Sequence, residues 1–299
     1  MSSPRVGVIV LNWNGEEDTC ECLTSLREVK YPNFEVLVVD NASSKGSPDR
    51  IKSEFPEITL IKNKSNLGFA EGNNVGIEFF RARGVDYFLL LNNDTVVEPD
   101  FLGKLVSTAE EKNQYGIFGP KIYYYDPSDT IWFAGGFISR LTGKPYHAGL
   151  GNVDRGEFDE VKDVVFVTGC ALFFRKIVVE KIKGLDPDYF VSHEDVDFCL
   201  RAAGAGFPSL YVPSSRIKHK FARSAGGRFS PLYIYYRVRN SLLLLKKNNF
   251  PFYTRFIALF LNPLKMIVYT MFTLNFCGAR AALSGFFDFM RGKFGKGPY

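Results

Sequence analysis

Two carboxylates and one histidine stand at the ends of apolar runs of strand length, where side chains commonly meet a ligand. Asp40 and His219 are the last residues of such runs, and Asp94 follows one after Asn92 and Asn93. A carboxylate and a neutral imidazole are suitable ligands for Mg²⁺ or Mn²⁺, whereas Asp40 is suited to accept hydrogen bonds from a base or ribose. The structural alternatives are a helix cap for Asp94, a turn residue for Asp40 and a surface histidine for His219.

A second acidic cluster has three carboxylates in four positions, Glu194, Asp195 and Asp197, directly before an amphipathic run. Carboxylates at a helix N-terminus are stabilised by the helix dipole, so a purely structural cap is one interpretation. The other is a general base that takes a proton from an attacking hydroxyl, with its pKa adjusted by the neighbouring charges.

Glycine motifs for phosphate binding are missing from the sequence. No G-x-G-x-x-G follows the first apolar run and no G-x-x-x-x-G-K-[ST] occurs, which argues against a dinucleotide or P-loop site. Lys218, Lys220 and Arg223 surround His219 and are candidates to reach a diphosphate. The five cysteines form no C-x-x-C pair, so we interpret them as reduced thiols of a cytosolic protein. No secretion signal is predicted at the start of the sequence.

These residues are expected on βαβ units, because short apolar runs alternate with longer amphipathic segments. The pattern predicts strands at 5–12, 34–40, 58–62, 87–91 and 210–219, and helices at 16–29, 48–55 and 66–83. Residues 113–174 are more β-like and predict an α+β insertion that completes the site. The fold class is therefore α/β, with a doubly wound, mostly parallel sheet whose strand ends face one crevice.

The C-terminal region differs in charge from the rest of the chain. Residues 216–299 contain 15 Lys and Arg but one acid, giving +14, whereas the preceding 215 residues carry −9. The longest uncharged run there, 14 residues at 266–279, is shorter than the roughly 18 to 20 residues that a span requires. We expect amphipathic helices in the interface of an anionic membrane. Packing on the body or in a dimer is the structural alternative, and the apolar stretch argues against a nucleic-acid groove.

Eight motifs in order resemble those of inverting family 2 glycosyltransferases of the rhamnosyltransferase-like branch. They span nearly the whole of residues 1–215, which carry the net negative charge. They are VIVLNWN at 8–14, VVDNAS at 38–43, NLGFA-x-GNN at 66–74, LNND at 91–94, GCALFFR at 169–175, GLD at 184–186, EDVDFCLR at 194–201, and His219.

The resemblance implies a GT-A glycosyltransferase domain, which we place at 1–222. The charge and hydropathy of the remaining residues, 223–299, predict a basic, aromatic, membrane-associating helical tail. The resemblance further implies Asp195 as the general base, and Asp94 and His219 as ligands of the divalent cation. Gly169 and Glu194 are expected on the acceptor side. The residues expected to bind the donor are Asn12, Asp40, Asn66, Gly68, Asn74, Asn92 and Asn93. Asn92 replaces the first acid of the family's D-x-D motif, and an amide supplies no charge to a cation.

The sequence thus predicts metal-assisted, inverting transfer from a UDP- or dTDP-sugar to a hydroxyl of a glycan or polyprenyl-linked acceptor. The enzyme is expected to be cytoplasmic and peripheral on the inner face of the cell membrane. A sugar nucleotidyltransferase would need a glycine-rich, basic loop after the first strand, which residues 11–15 lack. A catalytically inactive membrane scaffold remains the other alternative, because Asn92 weakens the metal motif.

Overall fold

The computed structural model describes residues 3–46, 48–220, 230–273 and 275–299. Arg223, a predicted diphosphate contact, and the predicted domain boundary at 222/223 lie outside these residues. Ten strands form one large sheet, and β8 and β9 form a separate hairpin. The strands are β1 Val6–Asn12, β2 Phe34–Asp40, β3 Thr59–Lys62, β4 Tyr87–Asn92, β5 Thr95–Val97, β6 Ile117–Tyr124, β7 Ile131–Phe133, β8 Gly136–Ile138, β9 Pro145–His147, β10 Lys162–Val164, β11 Ala171–Arg175 and β12 Ser209–His219.

The main sheet has the order β10-β12-β6-β11-β4-β1-β2-β3. The four strands β3, β2, β1 and β4 are parallel, as predicted from their continuous apolar runs. β12 is parallel to β6, while β11 lies antiparallel between β6 and β4. The register sets Asn12 opposite Asp40 and Leu11 opposite Asn92. Three predicted strand ends therefore meet at one edge of the sheet.

Helices cover the sheet. They are α1 Glu16–Arg27, α2 Pro48–Glu54, α3 Gly68–Ala82, α4 Phe101–Glu111, α5 Lys176–Ile182, α6 Glu194–Gly204, α7 Pro231–Lys247, α8 Phe252–Phe272 and α9 Phe276–Met290, with a 3₁₀ turn at Pro187–Tyr189. α3 packs closely on β1 because glycines face the strand. A Cβ at Gly76 would lie 2.5 Å from Ile9, which is closer than side chains pack.

The region predicted as an insertion contributes the strands from β6 to β11. β12 is irregular between Val212 and Arg216, and its last residues pair with β5, so that His219 lies opposite Thr95. This pairing brings the end of β12 to the residue that precedes β5, which is Asp94. The strand predicted at 210–219 is confirmed and begins one residue earlier.

The three C-terminal helices do not have the same environment. α7 is packed into the protein, and its Leu243 and Leu244 belong to the main core. α8 is mostly exposed, with a mean hydropathy of 1.3 over its most apolar window. The helix continues through Pro263 and includes Lys265. Its 21 residues are therefore long enough to cross a membrane, although the longest uncharged run in the sequence is shorter than that.

Candidate active site

The amide of Asn12 is the centre of a hydrogen-bond network at the end of β1. Its Nδ2 donates to Oδ1 of Asp40 at 2.7 Å, and its Oδ1 accepts from the Thr19 hydroxyl at 3.0 Å. Ser43 donates to both carboxylate oxygens of Asp40, through its hydroxyl at 2.7 Å and its backbone N at 3.1 Å. Asp40 is 2% exposed. The carboxyl group of Asp40 is thus held in place by neutral donors. The contribution of Ser43 was not predicted from the sequence.

Asn92 and Asn93 follow one another but face different surroundings. Asn93 donates to the Thr19 hydroxyl at 2.9 Å and to the carbonyl of Gly15 at 3.2 Å, so its amide fastens the start of α1. The Asn92 side chain makes no hydrogen bond to the part of the chain that the structure describes. Of these two predicted donor-binding residues, Asn92 has the side chain whose polar atoms are available to a ligand.

Asn66 and Gly68 lie together at the start of α3. Oδ1 of Asn66 accepts from the backbone N of Gly68 at 2.8 Å and from Asn41 at 3.0 Å. Gly68 has φ +78°, and a Cβ there would lie 2.5 Å from Phe190. Both the backbone conformation and the close approach require glycine at this position.

Asn74 lies further along α3 and connects it to a loop. Its Nδ2 donates to the carbonyl of Leu185 at 2.8 Å, and its Oδ1 accepts from the backbone N of Leu185 at 2.9 Å. Nδ2 also contacts Glu71 at 3.1 Å. The amide group of this predicted donor-binding residue is therefore engaged within the protein, where it holds the loop that leads to α6.

Asp94 and His219 form a buried pair. Oδ1 of Asp94 lies 3.1 Å from Nε2 of His219, and the side chains are only 5% and 6% exposed. Burial raises the pKa of Asp94, but His219 and Lys220 outweigh it, so the pKa lies below its usual value and the carboxylate is charged. The rings of Trp132 and His219 pack edge to face, with centroids 4.5 Å apart and an angle of 81° between their planes.

This pair supplies one oxygen and one nitrogen donor, which suits Mg²⁺ or Mn²⁺ when substrate oxygens and water provide the remaining ligands. Among the described residues there is no group of three or more His, Cys, Asp and Glu side chains that could hold a metal ion. Lys220 donates to Asp18 at 2.7 Å and also contacts Glu21. Its ammonium is thus balanced by two carboxylates, which weakens its predicted role as a diphosphate contact.

Asp195 lies in the first turn of α6, against the turn that precedes β11. Its Oδ2 accepts from the backbone N of Gly169 at 2.8 Å, and its Oδ1 accepts from that of Val196 at 2.8 Å. Burial raises the pKa of Asp195, and these amide donors counteract the increase. Cys170 follows Gly169 in the chain, and its carbonyl accepts a hydrogen bond from the backbone N of Asn92 at 2.9 Å. A single turn therefore contacts both Asp195 and the end of β4, two residues before Asp94.

The other two carboxylates of the acidic cluster differ from Asp195 in environment. Asp197 is fully buried, and its oxygens accept from Arg201 at 2.6 Å, from Asn248 at 2.8 Å and from Tyr189 at 3.1 Å. Glu194 is 5% exposed. Burial and then the charge of Asp195 raise the pKa of Glu194 well above its usual value. Its Oε2 has no hydrogen-bond partner among the described residues. Asp195 is the most accessible carboxylate of the three.

The loop before α6 has an unusual backbone conformation. Phe190, Ser192 and His193 have positive φ values of 60°, 75° and 76°, each of which costs about 1 to 3 kcal/mol in a residue other than glycine. Side chains of α7 hold this loop. Nδ2 of Asn240 donates to the carbonyls of Tyr189, Val191 and Ser192 at 2.8, 2.8 and 2.9 Å.

Arg239 completes this support. Its guanidinium donates to the carbonyls of Asp188 at 3.1 Å, Tyr189 at 3.2 Å and Gly295 at 2.7 Å. Arg239 and Asn240 are 1% and 0% exposed. Neither residue was predicted from the sequence, because Arg239 and Asn240 lie in an aromatic, basic segment in which no local pattern distinguishes them.

Comparison with known proteins gives consistent matches. The model for glycosyl transferase family 2 matches residues 7–182. The dTDP-rhamnosyl transferase RfbF of Shigella flexneri is 26% identical over 254 residues, which cover 83% of this chain and 82% of the relative. The N-acetylglucosaminyl-diphospho-decaprenol L-rhamnosyltransferase of Mycobacterium tuberculosis is 28% identical over 224 residues, covering 68% and 72%.

Solved structures share the fold at low identity. The mannosyltransferase PcManGT of Pyrobaculum calidifontis, in complex with GDP-Man and Mn²⁺, superposes with a TM-score of 0.63 at 14% identity, covering 98% of this chain and 89% of that one. Residues 1–349 of TarS from S. aureus, in complex with UDP-GlcNAc, give a TM-score of 0.62 at 16% identity, covering 95% and 81%. These similarities confirm the GT-A fold predicted from the sequence.

Proposed function

Because the chain belongs to glycosyl transferase family 2, whose model matches more than half of it, we propose that it catalyses inverting transfer of a rhamnosyl or hexosyl group. The donor is a nucleoside diphosphate sugar, UDP- or dTDP-linked, and the acceptor is a hydroxyl of a glycan or polyprenyl-linked glycan. The names of the two relatives, a dTDP-rhamnosyl transferase and a diphospho-decaprenol rhamnosyltransferase, support this choice of donor and acceptor.

The observation that carries the proposal is the proximity of a candidate base to a candidate cation site. The backbone N of Gly169 donates to Asp195, and the carbonyl of Cys170 accepts from Asn92, two residues before Asp94. An inverting transferase needs this arrangement, since the base and the leaving diphosphate act on opposite sides of the same anomeric carbon. A direct displacement then requires no covalent intermediate.

Each group has one role in the proposed reaction. Asp195 removes the proton of the acceptor hydroxyl while that oxygen forms a bond to the anomeric carbon and the bond to the diphosphate breaks. Asp94 and His219 would hold Mg²⁺ or Mn²⁺, which stabilises negative charge on the departing diphosphate when bound. Asp40 and Asn92 are the proposed contacts for the nucleoside and the donor. The Mn²⁺ in the mannosyltransferase complex supports the choice of cation.

Membrane association is proposed for α8 and α9. Six side chains spaced four residues apart along α8 are between 41% and 86% exposed, namely Phe252, Phe256, Phe260, Leu264, Val268 and Phe272. Each such step turns about 40° around the helix, so these side chains present apolar surface over about half of its circumference, and the basic C-terminal region adds attraction to anionic lipid. These features support peripheral binding at the cytoplasmic surface of the membrane, with α8 lying in the interface.

The test of sugar transfer combines donor selection with product stereochemistry. Full-length protein is incubated with dTDP-rhamnose and UDP-sugars, with and without Mn²⁺, and a lipid-linked acceptor, and the anomeric configuration of the product is determined by NMR. Asp195→Asn should lower turnover about 10²-fold or more without changing donor affinity. Asp163→Asn is the matched control, because Asp163 is exposed and lies opposite Leu210 near the start of β12, at the other end of that strand from His219. A product that retains the donor's configuration, or no turnover with any donor, would contradict the proposal.

A further inference from the structure

A cavity of about 510 Å³ lies on the C-terminal part of the chain, apart from the sugar-transfer site. Its walls come from α7, α9 and the segment that follows α9, and no strand of the sheet contributes to it. Four of its lining residues are exposed bases, Arg280, Arg291, Lys293 and Lys296. A cavity lined in this way attracts an anion.

The charges of this basic cavity are not balanced by the protein. Within the described ranges, no carboxylate forms an ion pair with any of the four bases. Asp288 is the single acid that lines the cavity, and it accepts a hydrogen bond from the Tyr235 hydroxyl at 2.8 Å. Arg239 also lines the cavity, but its guanidinium is committed to backbone carbonyls. The cavity therefore contains four positively charged side chains and one carboxylate.

Apolar side chains lie beside these bases. Leu283 and Phe287 line the same cavity and are 43% and 49% exposed, and Met290, one turn along α9, is 57% exposed. An inorganic anion would leave these side chains in water. A ligand with a phosphate head and a hydrocarbon chain would satisfy both parts of the surface, because the head pairs with the bases and the chain covers the apolar residues.

We propose that the basic cavity binds the phosphate group of a lipid, with Arg291, Lys293 and Lys296 at the head and Leu283 and Phe287 along the chain. This inference deepens the proposed membrane association and rests on it. Two lipids share the required chemistry, an anionic phospholipid and a polyprenyl diphosphate such as the lipid part of an acceptor. In either case the cavity fixes one orientation of the enzyme on the membrane, which scattered surface charge does not.

Calorimetry on the full-length protein with soluble probes tests the chemistry of the cavity. Decyl phosphate should bind at least about tenfold more tightly than inorganic phosphate, because only the former covers apolar surface. In R291Q/K293Q/K296Q, decyl phosphate affinity should fall about tenfold or more. The control K30Q/R155Q/K181Q removes the same charge from exposed positions elsewhere and should stay within about twofold of wild type.

Because Arg291 ends α9 and lies over the Phe287 ring, circular dichroism must first establish that the triple variant is folded. If it is not, K293Q/K296Q is compared with R155Q/K181Q in the same way. Equal loss of decyl phosphate binding in the cavity and control variants would overturn the proposal, as would equal affinity of the wild type for the two phosphates.

Vesicles then distinguish the sources of the phosphate. Co-sedimentation is compared for phosphatidylglycerol vesicles and for vesicles of equal total charge that contain a polyprenyl diphosphate. Preference for the vesicles with polyprenyl diphosphate identifies the acceptor lipid as the ligand, and equal binding to both identifies a general phospholipid site. In either case, R291Q/K293Q/K296Q must lose binding to the vesicles. Tighter binding of a single-stranded oligonucleotide, lost in the same variant, would overturn the lipid assignment. Nucleotide-sugar binding is measured by thermal shift in every variant. If no nucleotide sugar binds although decyl phosphate does, the proposed sugar transfer is wrong and the lipid site is not.

Discussion

Replacing Asn240 by leucine tests whether α7 positions the base. The substitution keeps most of the side-chain volume but removes the amide that donates to the carbonyls of Tyr189, Val191 and Ser192. Ser107→Ala is the control, because the exposed Ser107 hydroxyl donates to the carbonyl of Lys104 within its own helix, α4, at 3.2 Å.

The magnitude follows from the hydrogen bonds and the backbone strain. The carbonyl of Tyr189 keeps its hydrogen bond from Arg239, so the change leaves two carbonyls, those of Val191 and Ser192, without this donor. An unsatisfied buried acceptor costs about 1 to 3 kcal/mol, so we expect a loss of about 2 to 6 kcal/mol in the free energy of unfolding. Without these donors the three residues at positive φ are free to relax, and relaxation moves the loop that leads to Asp195. A displacement of about 1 Å at a reacting group reduces turnover about 10²-fold.

The measurements separate positioning from stability. At a temperature where the variant is fully folded, kcat should fall at least about tenfold, while affinity for the nucleoside alone stays within about twofold of wild type, because Asp40, the proposed nucleoside contact, is not touched by the change. Hydrogen exchange should accelerate at 188–193. A folded Asn240→Leu protein with wild-type kcat and unchanged exchange in this loop would show that α7 does not position Asp195.

Four further predictions follow from the site and its supports. His219→Gln and Asp94→Asn should each weaken Mn²⁺-dependent binding of a nucleoside diphosphate far more than binding of the nucleoside, measured by calorimetry; unchanged diphosphate affinity would exclude the cation site. Gly68→Ala should lower the free energy of unfolding by about 2 kcal/mol or more through positive φ and the clash with Phe190, whereas Gly103→Ala, with open space around its Cβ, should not destabilise in urea titrations. Burial, aided by the charge of Arg237, lowers the pKa of His193 to about 3. The imidazole of the unfolded chain titrates near pH 6.5, so below that pH the unfolded state binds more protons than the folded state. The free energy of unfolding of wild type should therefore fall by about 2 kcal/mol relative to that of His193→Asn between pH 7 and pH 5. Removal of α8 and α9 by truncation after Asn248 should abolish co-sedimentation with anionic vesicles, and equal binding by the truncated protein would assign these helices to packing instead.

The central strands were predictable because their sequences are continuous apolar runs bounded by turn residues. The run at 34–40 coincides with β2, and the predictions for β1 and β4 differ from the structure by one residue. These strands place Asn12 and Asp40 side by side, so the local pattern was sufficient to bring part of the site together.

Long-range contacts were not predictable in the same way. The antiparallel position of β11 between β4 and β6 depends on pairing between distant residues, and no local pattern specifies it. The role of α7 was also missed. Arg239 in an aromatic, basic segment is typical of a solvent-facing or membrane-facing helix, yet here backbone carbonyls of a strained loop satisfy its donors and allow it to be buried.

Phe190 connects the start of α3 with α7. Its carbonyl accepts from the backbone N of Phe69 at 2.6 Å and of Ala70 at 3.2 Å at the start of α3, while its ring stacks on Tyr236 of α7 at 5.3 Å. The loop that precedes Asp195 and the helix that begins beside Asn66 therefore share one anchoring residue. Movement of either element on binding a ligand transmits a free-energy change to the other, and such coupling is reciprocal. Donor and acceptor should therefore each alter the affinity for the other by the same factor.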